Sequence, residues 1–446
     1  MLSRRDLLKL PGLAALSASL PTLGRAAALA PDYRLDIAPV TWELSPRHKI
    51  KTVAYNGQVP GPLLRFKEGR PVTIEVTNHT DRPEVVHWHG LFLPSDVDGA
   101  MEEGTPPIAP SQTARYTFTP RPAGFRWYHT HTMAMGDLTL AQYGGQHGPL
   151  LIEPANDPAR YDREFFLVLH DWNGRLTASD DGAMNPTYDV STINGKVMGS
   201  AEPLRVERGQ RVLLHVLNSS PTEVHWVSCA GHSLQVVSLD GNAVPTSQTV
   251  SMLRLAPAER VCVLVEMNNP GVWVFGEVRK HVQAAGMAVV VEYANERGPP
   301  RWEQPANLIW SYEQFAAPKR AADATSAINI PLVLESKFRG HGAMEAWTIN
   351  GQSYPDARVA PLRQGQRYRL QFINKSVDDH PLHLHRHSFE LCSLGAPRGI
   401  LKDVILVDAQ TQTDVEFTAN NPGATLFHCH QQNHMDLGFM MLLNYE

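Results

Sequence analysis

The chain has 446 residues, with 40 lysines and arginines against 45 aspartates and glutamates, a formal net charge of −5 and a pI near 6.5. This near balance excludes a nucleic-acid binder, which needs a basic stripe, and the length exceeds what one hydrophobic core supports, so two or three domains are expected. Four cysteines are too few for a disulfide framework, whereas twenty histidines are many, and they cluster.

The amino terminus reads as a targeting segment. Arg4 and Arg5 precede an apolar run broken by Pro11 and Pro21, and small residues follow in "GRAAALA". The run is too short and interrupted to span a membrane. Ser3-Arg4-Arg5-Asp6-Leu7-Leu8-Lys9 resembles a twin-arginine export signal, with cleavage expected between Ala26 and Ala30. That route carries folded proteins across the membrane, so a periplasmic location is expected. Residues 1–30 are set apart from the fold.

An internal repeat organises the remainder. "AYNGQVPGPLLRFKEGRPVTIEVTN", "TINGKVMGSAEPLRVERGQRVLLHVLNSS" and "TINGQSYPDARVAPLRQGQRYRLQFINKS" begin at Ala54, Thr192 and Thr348. Each carries an Asn-Gly step, which suits a turn with positive φ, and then an alternating strand that ends at Asn. Spacings of 138 and 156 residues between the Asn-Gly steps each fit one β-sandwich with its loops. The reading is all-β: three tandem sandwiches over roughly 31–155, 156–300 and 301–446. Helical periodicity is scarce, with one short helix expected in "NLIWSYEQFAA" from Asn307.

Four segments carry a His-x-His pair: His87 and His89, His129 and His131, His383 and His385, His428 and His430. On a strand, residues i and i+2 point the same way about 6.6 Å apart, so each pair aims two imidazoles at one cavity. Eight clustered imidazoles are costly to desolvate without a metal. Imidazole alone suits zinc, copper, iron or nickel. Cys429, between His428 and His430, narrows the choice. It points to the opposite face, where His434 and His380 can join it, and a trigonal His-His-Cys set is the electron-transfer copper arrangement.

These four segments resemble the four copper signatures of the multicopper oxidases, the laccases and their relatives, over nearly the whole mature chain. The resemblance implies three cupredoxin-like Greek-key domains and four copper ions. It implies one-electron oxidation of a small-molecule or metal-ion reductant at a type 1 copper, and four-electron reduction of dioxygen to water at a trinuclear cluster between the first and third domains. Carried over, His380, Cys429 and His434 would hold the type 1 copper, and His87 and His383 the type 2 copper. His89, His129 and His430 would hold one type 3 copper; His131, His385 and His428 would hold the other. Asp98, nine residues after His89, matches a family carboxylate near the type 2 copper, expected to relay protons and orient a copper-bound water. Phe439, ten residues after Cys429, falls at the axial position and offers no lone pair.

The chain departs from the family in two places. Some relatives carry a glutamate directly after the second type 1 histidine, where this chain has Met435, with Asp436 next to it. Arg386 stands where relatives often have glycine.

The other histidines, among them His170, His215, His225, His232 and His387, read as surface or core polar groups. Cys229, Cys262 and Cys392 match no copper motif and read as free thiols, with a Cys229–Cys262 disulfide as the alternative. No long Met-rich insert is present, which favours a laccase-like organic substrate over cuprous, ferrous or manganous ions. Two other classes, a copper-free structural periplasmic relative and a copper nitrite reductase, sit poorly with eleven filled ligand positions in this pattern.

Overall fold

Three Asn-Gly turns set the plan of the chain. The computed structural model describes residues 30–155, 160–178, 184–318, 327–338, 345–359, 361–393 and 396–446, so the expected export signal, up to residue 29, lies outside the described residues. Asn56, Asn194 and Asn350 have φ of 52°, 54° and 52°, and the glycines after them 68°, 68° and 78°. Two successive left-handed residues form a two-residue hairpin turn, closed by the bridges Tyr55–Gln58, Ile193–Lys196 and Ile349–Gln352. Each Asn side chain then ties back to the strand that opens its repeat. Its Oδ1 accepts from the amides of Asp36, Val168 and Val333 at 2.7, 2.8 and 2.8 Å respectively.

The alternating segments form strands, Val72–Asn78, Arg211–Asn218 and Arg367–Asn374. In the first and third, buried and half-buried residues alternate along the whole strand. Each of the three runs parallel to the opening strand of its own repeat. The asparagine that ends each strand is buried, and its amide donates to carbonyls of the next loop and of a distant strand or loop: Arg82 and Ile108, Glu223 and Leu255, Asp378 and Val407. These buried amides satisfy backbone carbonyls that would otherwise lack partners.

Among the described residues six sheets result, two per repeat. In the first repeat a four-stranded sheet containing Tyr33–Ser45 and Val72–Asn78 packs on another containing Val86–His87 and Gly124–Thr130, through Ile37, Ile74, Phe66, Tyr128 and Ile152. Six- and five-stranded sheets form the second sandwich, and six- and four-stranded sheets the third. The fold is three β-sandwiches of the cupredoxin kind. The expected helix after Asn307 is reduced to one 3-10 turn, Tyr312–Phe315, which buries Phe315 while Ile309 remains exposed. Among the described residues no helix is long and apolar enough to cross a membrane.

Register positions the histidines. His87 lies opposite His129 in the first sandwich, and His383 opposite His428 in the third.

Candidate metal centre

The four His-x-His pairs converge on one buried space between the first and third sandwiches. Within pairs the ring centroids lie 5.3 Å (His87, His89), 6.1 Å (His129, His131), 4.7 Å (His383, His385) and 5.4 Å (His428, His430) apart. Across the sandwiches His89 stacks on His383 at 3.8 Å and His87 on His385 at 4.0 Å. His131 and His385 each bring Nε2 to His428 Nε2, at 3.5 and 3.1 Å. His430 lies 5.2 Å from both His89 and His129, ring to ring. Proximity alone does not partition the eight, because His87 groups equally with His89 and His129 or with His383 and His385.

The outer nitrogens decide which way each ring presents its lone pair. Nδ1 of His87, His129, His383 and His428 lies 2.9, 2.8, 2.7 and 2.8 Å from the carbonyls of Asp98, Thr130, Asp403 and Cys429. A carbonyl only accepts, so these Nδ1 atoms carry the proton and Nε2 faces the cavity with a free lone pair. His89 is reversed: Nε2 meets Asp403 Oδ1 at 3.1 Å, and Nδ1 faces His129. Burial is the main cause holding His89, His129, His131, His383, His385, His428 and His430 well below the usual imidazole range, so these rings stay neutral. Nε2 of His87 and of His383 and both nitrogens of His430 have no hydrogen-bond partner. Buried lone pairs left unpaired are expensive, and metal ions fit this donor set.

Asp98 stands behind the rings. Its Oδ2 lies 3.1 Å from His87 Nδ1 and 2.9 Å from His385 Nδ1, joining a histidine of the first sandwich to one of the third. Gly99 has φ of 100°, and a Cβ there would lie 1.9 Å from the Val86 carbonyl, so the close approach of this turn to the His87 strand demands glycine.

Three further carboxylates escape a reading of the sequence. Glu103 is buried, with Oε1 3.5 Å from His385 Nδ1, and its carboxyl is raised well above the usual range by burial and by Asp98. Glu102 lies 4.0 Å from His131 Nδ1, and burial raises its carboxyl too. Asp403 meets His89 across 314 residues of chain. None lies at a motif spacing, and only the weak "MEE" run at 101–103 hinted at two of them.

Cys429 faces the other side of its strand. Its Sγ lies 3.8 Å from His380 Nδ1 and 3.6 Å from His434 Nδ1, and the three are buried together. His380 Nε2 is held by the Ser376 hydroxyl at 2.7 Å, and burial lowers this imidazole to about 3. Burial likewise raises the Cys429 thiol, so deprotonation there calls for a cation. Trp347, also unforeseen, covers the site, with its ring 4.2 Å from His434 and 4.8 Å from His380. Phe439 stacks on Trp347 and sets its ring 4.8 Å from His380. Met440 instead packs with Ala100, Leu426 and Met435 on the opposite side.

The remaining residues have structural partners. His225 bridges Asp171 and Glu277 at 2.7 and 3.0 Å and is raised to about 10, the carboxylates outweighing burial. His215 contacts Cys262 and Glu164, each at 3.2 Å. His170 Nδ1 meets the Ser219 carbonyl, and His232 and His387 bond Tyr293 and Tyr445. Cys229 and Cys262 are both free thiols, so the alternative disulfide is not formed. Arg386 adopts φ of 60° and compensates with bonds to the carbonyls of Leu93, Ala424, Asn421 and Pro422. Asp436 accepts from the amides of Ala134 and Met135, fastening a loop, and burial raises its carboxyl to about 6.

Three segments of the chain match the multicopper oxidase family, residues 36–157, 163–294 and 329–446, together more than three quarters of its length. The chain is 29% identical over 434 residues to multicopper oxidase MmcO of Mycobacterium tuberculosis, covering 89% of this chain and 83% of that protein. It is 23% identical to copper resistance protein A of Escherichia coli, over 86% of this chain and 87% of the relative. The crystal structure of a multicopper oxidase from Pseudomonas thermotolerans superposes with a TM-score of 0.72 at 26% identity, covering 93% of this chain and 98% of that one. The protein belongs to the multicopper oxidase family. It is an oxidoreductase of the laccase-like kind and a copper binder.

Proposed function

We propose that this oxidase couples one-electron oxidation of phenolic or other organic reductants to four-electron reduction of dioxygen to water. The observation that carries the reading is the placement of Cys429. Its side chain sits in a His-His-Cys trio, while its two chain neighbours, His428 and His430, sit among the eight clustered imidazoles. His380, Cys429 and His434 would hold a type 1 copper, and His87 and His383 a type 2 copper. His89, His129 and His430 would hold one type 3 copper, and His131, His385 and His428 the other, making four ions. Copper, when bound, supplies single-electron redox chemistry and a bank of four electrons for dioxygen.

The protein's own part is to join and orient. The thiolate and two peptide links of Cys429 form a short covalent path between the sites. Asp98 holds His87 and His385 and serves as a proton acceptor beside them. The three sandwiches divide near residues 155 and 300, and the protein is exported through the twin-arginine route.

A second reading, metal-ion oxidation, is favoured by one feature. Met101 and Met133 line the same cavity of about 410 Å³ in the first sandwich, and soft thioethers suit cuprous ion. The name of the copper resistance relative points the same way. Copper per chain, followed by steady-state dioxygen uptake with a phenol, cuprous ion and ferrous ion, separates the readings. The organic reading expects the highest kcat/KM with the phenol. A preference for cuprous ion would replace it, and a chain that holds no copper would overturn both.

A further inference from the structure

Arg260 opens the strand Arg260–Glu266 in the second repeat, which contributes no His-x-His pair. It is fully buried. Its guanidinium grips Asp403 with two parallel bonds, Nη1 to Oδ1 and Nη2 to Oδ2, both 2.6 Å. Asp403 belongs to the third repeat, between the strands Ala396–Lys402 and Val404–Val407. The same Oδ1 stands 3.1 Å from Nε2 of His89 in the first repeat, and the Asp403 carbonyl meets His383 Nδ1 at 2.7 Å. One residue therefore touches a histidine from each half of the centre, and the second repeat holds it from behind.

The fork is itself fixed. Nη1 also donates to the Ala258 carbonyl at 3.0 Å and Nη2 to the Asp240 carbonyl at 3.2 Å, while Asp240 Oδ1 accepts the Arg260 amide at 3.0 Å. Asp240 Oδ2 accepts the Val404 amide at 3.1 Å and meets Lys402 Nζ at 2.9 Å, and Lys402 meets Glu259 at 2.9 Å. Arg126 of the first repeat reaches Asp403 Oδ2 at 3.4 Å. The three cations balance the three carboxylates. Apolar side chains would often pack such a junction as stably as buried ion pairs do, and what ion pairs add is a fixed geometry.

That geometry has a chemical consequence. Oδ1 accepts from Nε2 of His89, so the lone pair of this ring lies on Nδ1. The anchored rings of His87, His129, His383 and His428 present Nε2 instead. The reversed ring follows from where the Asp403 carboxylate is held.

We propose that Arg260 is a positioning residue for the trinuclear site, locking Asp403 so that His89 presents Nδ1 and His383 presents Nε2. The repeat without ligands is thereby part of the scaffold of the copper centre. Only the second of two tests below rests on the copper reading given above.

The first test uses copper-free protein labelled with nitrogen-15 at histidine, with the His89 signals assigned by their loss in His89→Gln. Wild type should show a single Nε2–H tautomer at His89, and so should Tyr312→Phe, which alters only the far end of the network, where Tyr312 bonds Glu259. Arg260→Lys keeps the charge but not the two-pronged grip. It should mix the tautomers and speed Nε2 proton exchange at least tenfold. Asp403→Asn, close in shape, should do the same and decides the matter if the lysine variant does not fold.

The second test measures copper affinity and colour. The two site variants should keep the Cys429-dependent blue band and bind trinuclear copper 10–100-fold more weakly, the usual effect of losing an outer partner. A wild-type tautomer together with wild-type copper affinity in both variants overturns the proposal. A wild type that binds no copper overturns the oxidase reading, and the tautomer result still decides the role of Arg260.

Discussion

Replacing Phe439 with methionine should lower the potential of the type 1 site. Phe439 is fully buried, its ring parallel to Trp347 at 5.5 Å and edge-on to His380 at 4.8 Å, so it excludes water and offers no lone pair beside Cys429. A methionine of similar size placed there costs about 1 kcal/mol in repacking, and its sulfur enters as a weak axial donor. If that donor binds oxidised copper about tenfold better than reduced copper, the potential falls by about 59 mV for one electron. Met440→Leu is the control, because Met440 packs with Ala100, Leu426 and Met435, away from the trio. The assay is a redox titration of the blue absorption in copper-loaded protein. A larger fall in the Met440 variant than in the Phe439 variant would refute both the register and the tuning argument.

Cys429→Ser should abolish the thiolate–copper colour and nearly all substrate oxidation while the eight imidazoles keep their copper; persistence of the band on absorption spectroscopy would remove Cys429 from the site. Asp98→Asn keeps the shape but removes the proton acceptor beside His87 and His385. Its blue colour should bleach normally with reductant and return in air at least tenfold more slowly, and unchanged reoxidation in stopped-flow would leave Asp98 as only a turn residue. Copper-free protein should lose stability in acid. The folded His380 titrates at about 3 against about 6.5 when unfolded, so the unfolded chain binds the extra proton as pH falls below 6.5. This costs about 2 kcal/mol at pH 5 from that residue alone. Copper loading should flatten the profile, since metal and proton compete for the same nitrogens; equal thermal midpoints at pH 7 and 5 without copper would contradict this.

The parts of this protein legible in its sequence are those written in local periods. The Asn-Gly turns announced three sandwiches because three of these steps recur with the same alternating strand, ending at Asn, behind them. The His-x-His pairs announced paired imidazoles because a strand has a period of two. Tertiary structure alone decided what holds the rings. Asp403 meets His89 from the third repeat and is itself gripped by Arg260 of the second, Glu103 reaches His385 across the centre, and Trp347 closes over His434. No local spacing encodes such contacts, because each joins residues far apart in the chain and a single aspartate or arginine carries no period. Carbonyls of their own sandwich orient His87, His129, His383 and His428, whereas His89 and His385 take their orientation from Asp403 and Asp98 of another sandwich, so for those two rings only docking settles which nitrogen faces the cavity.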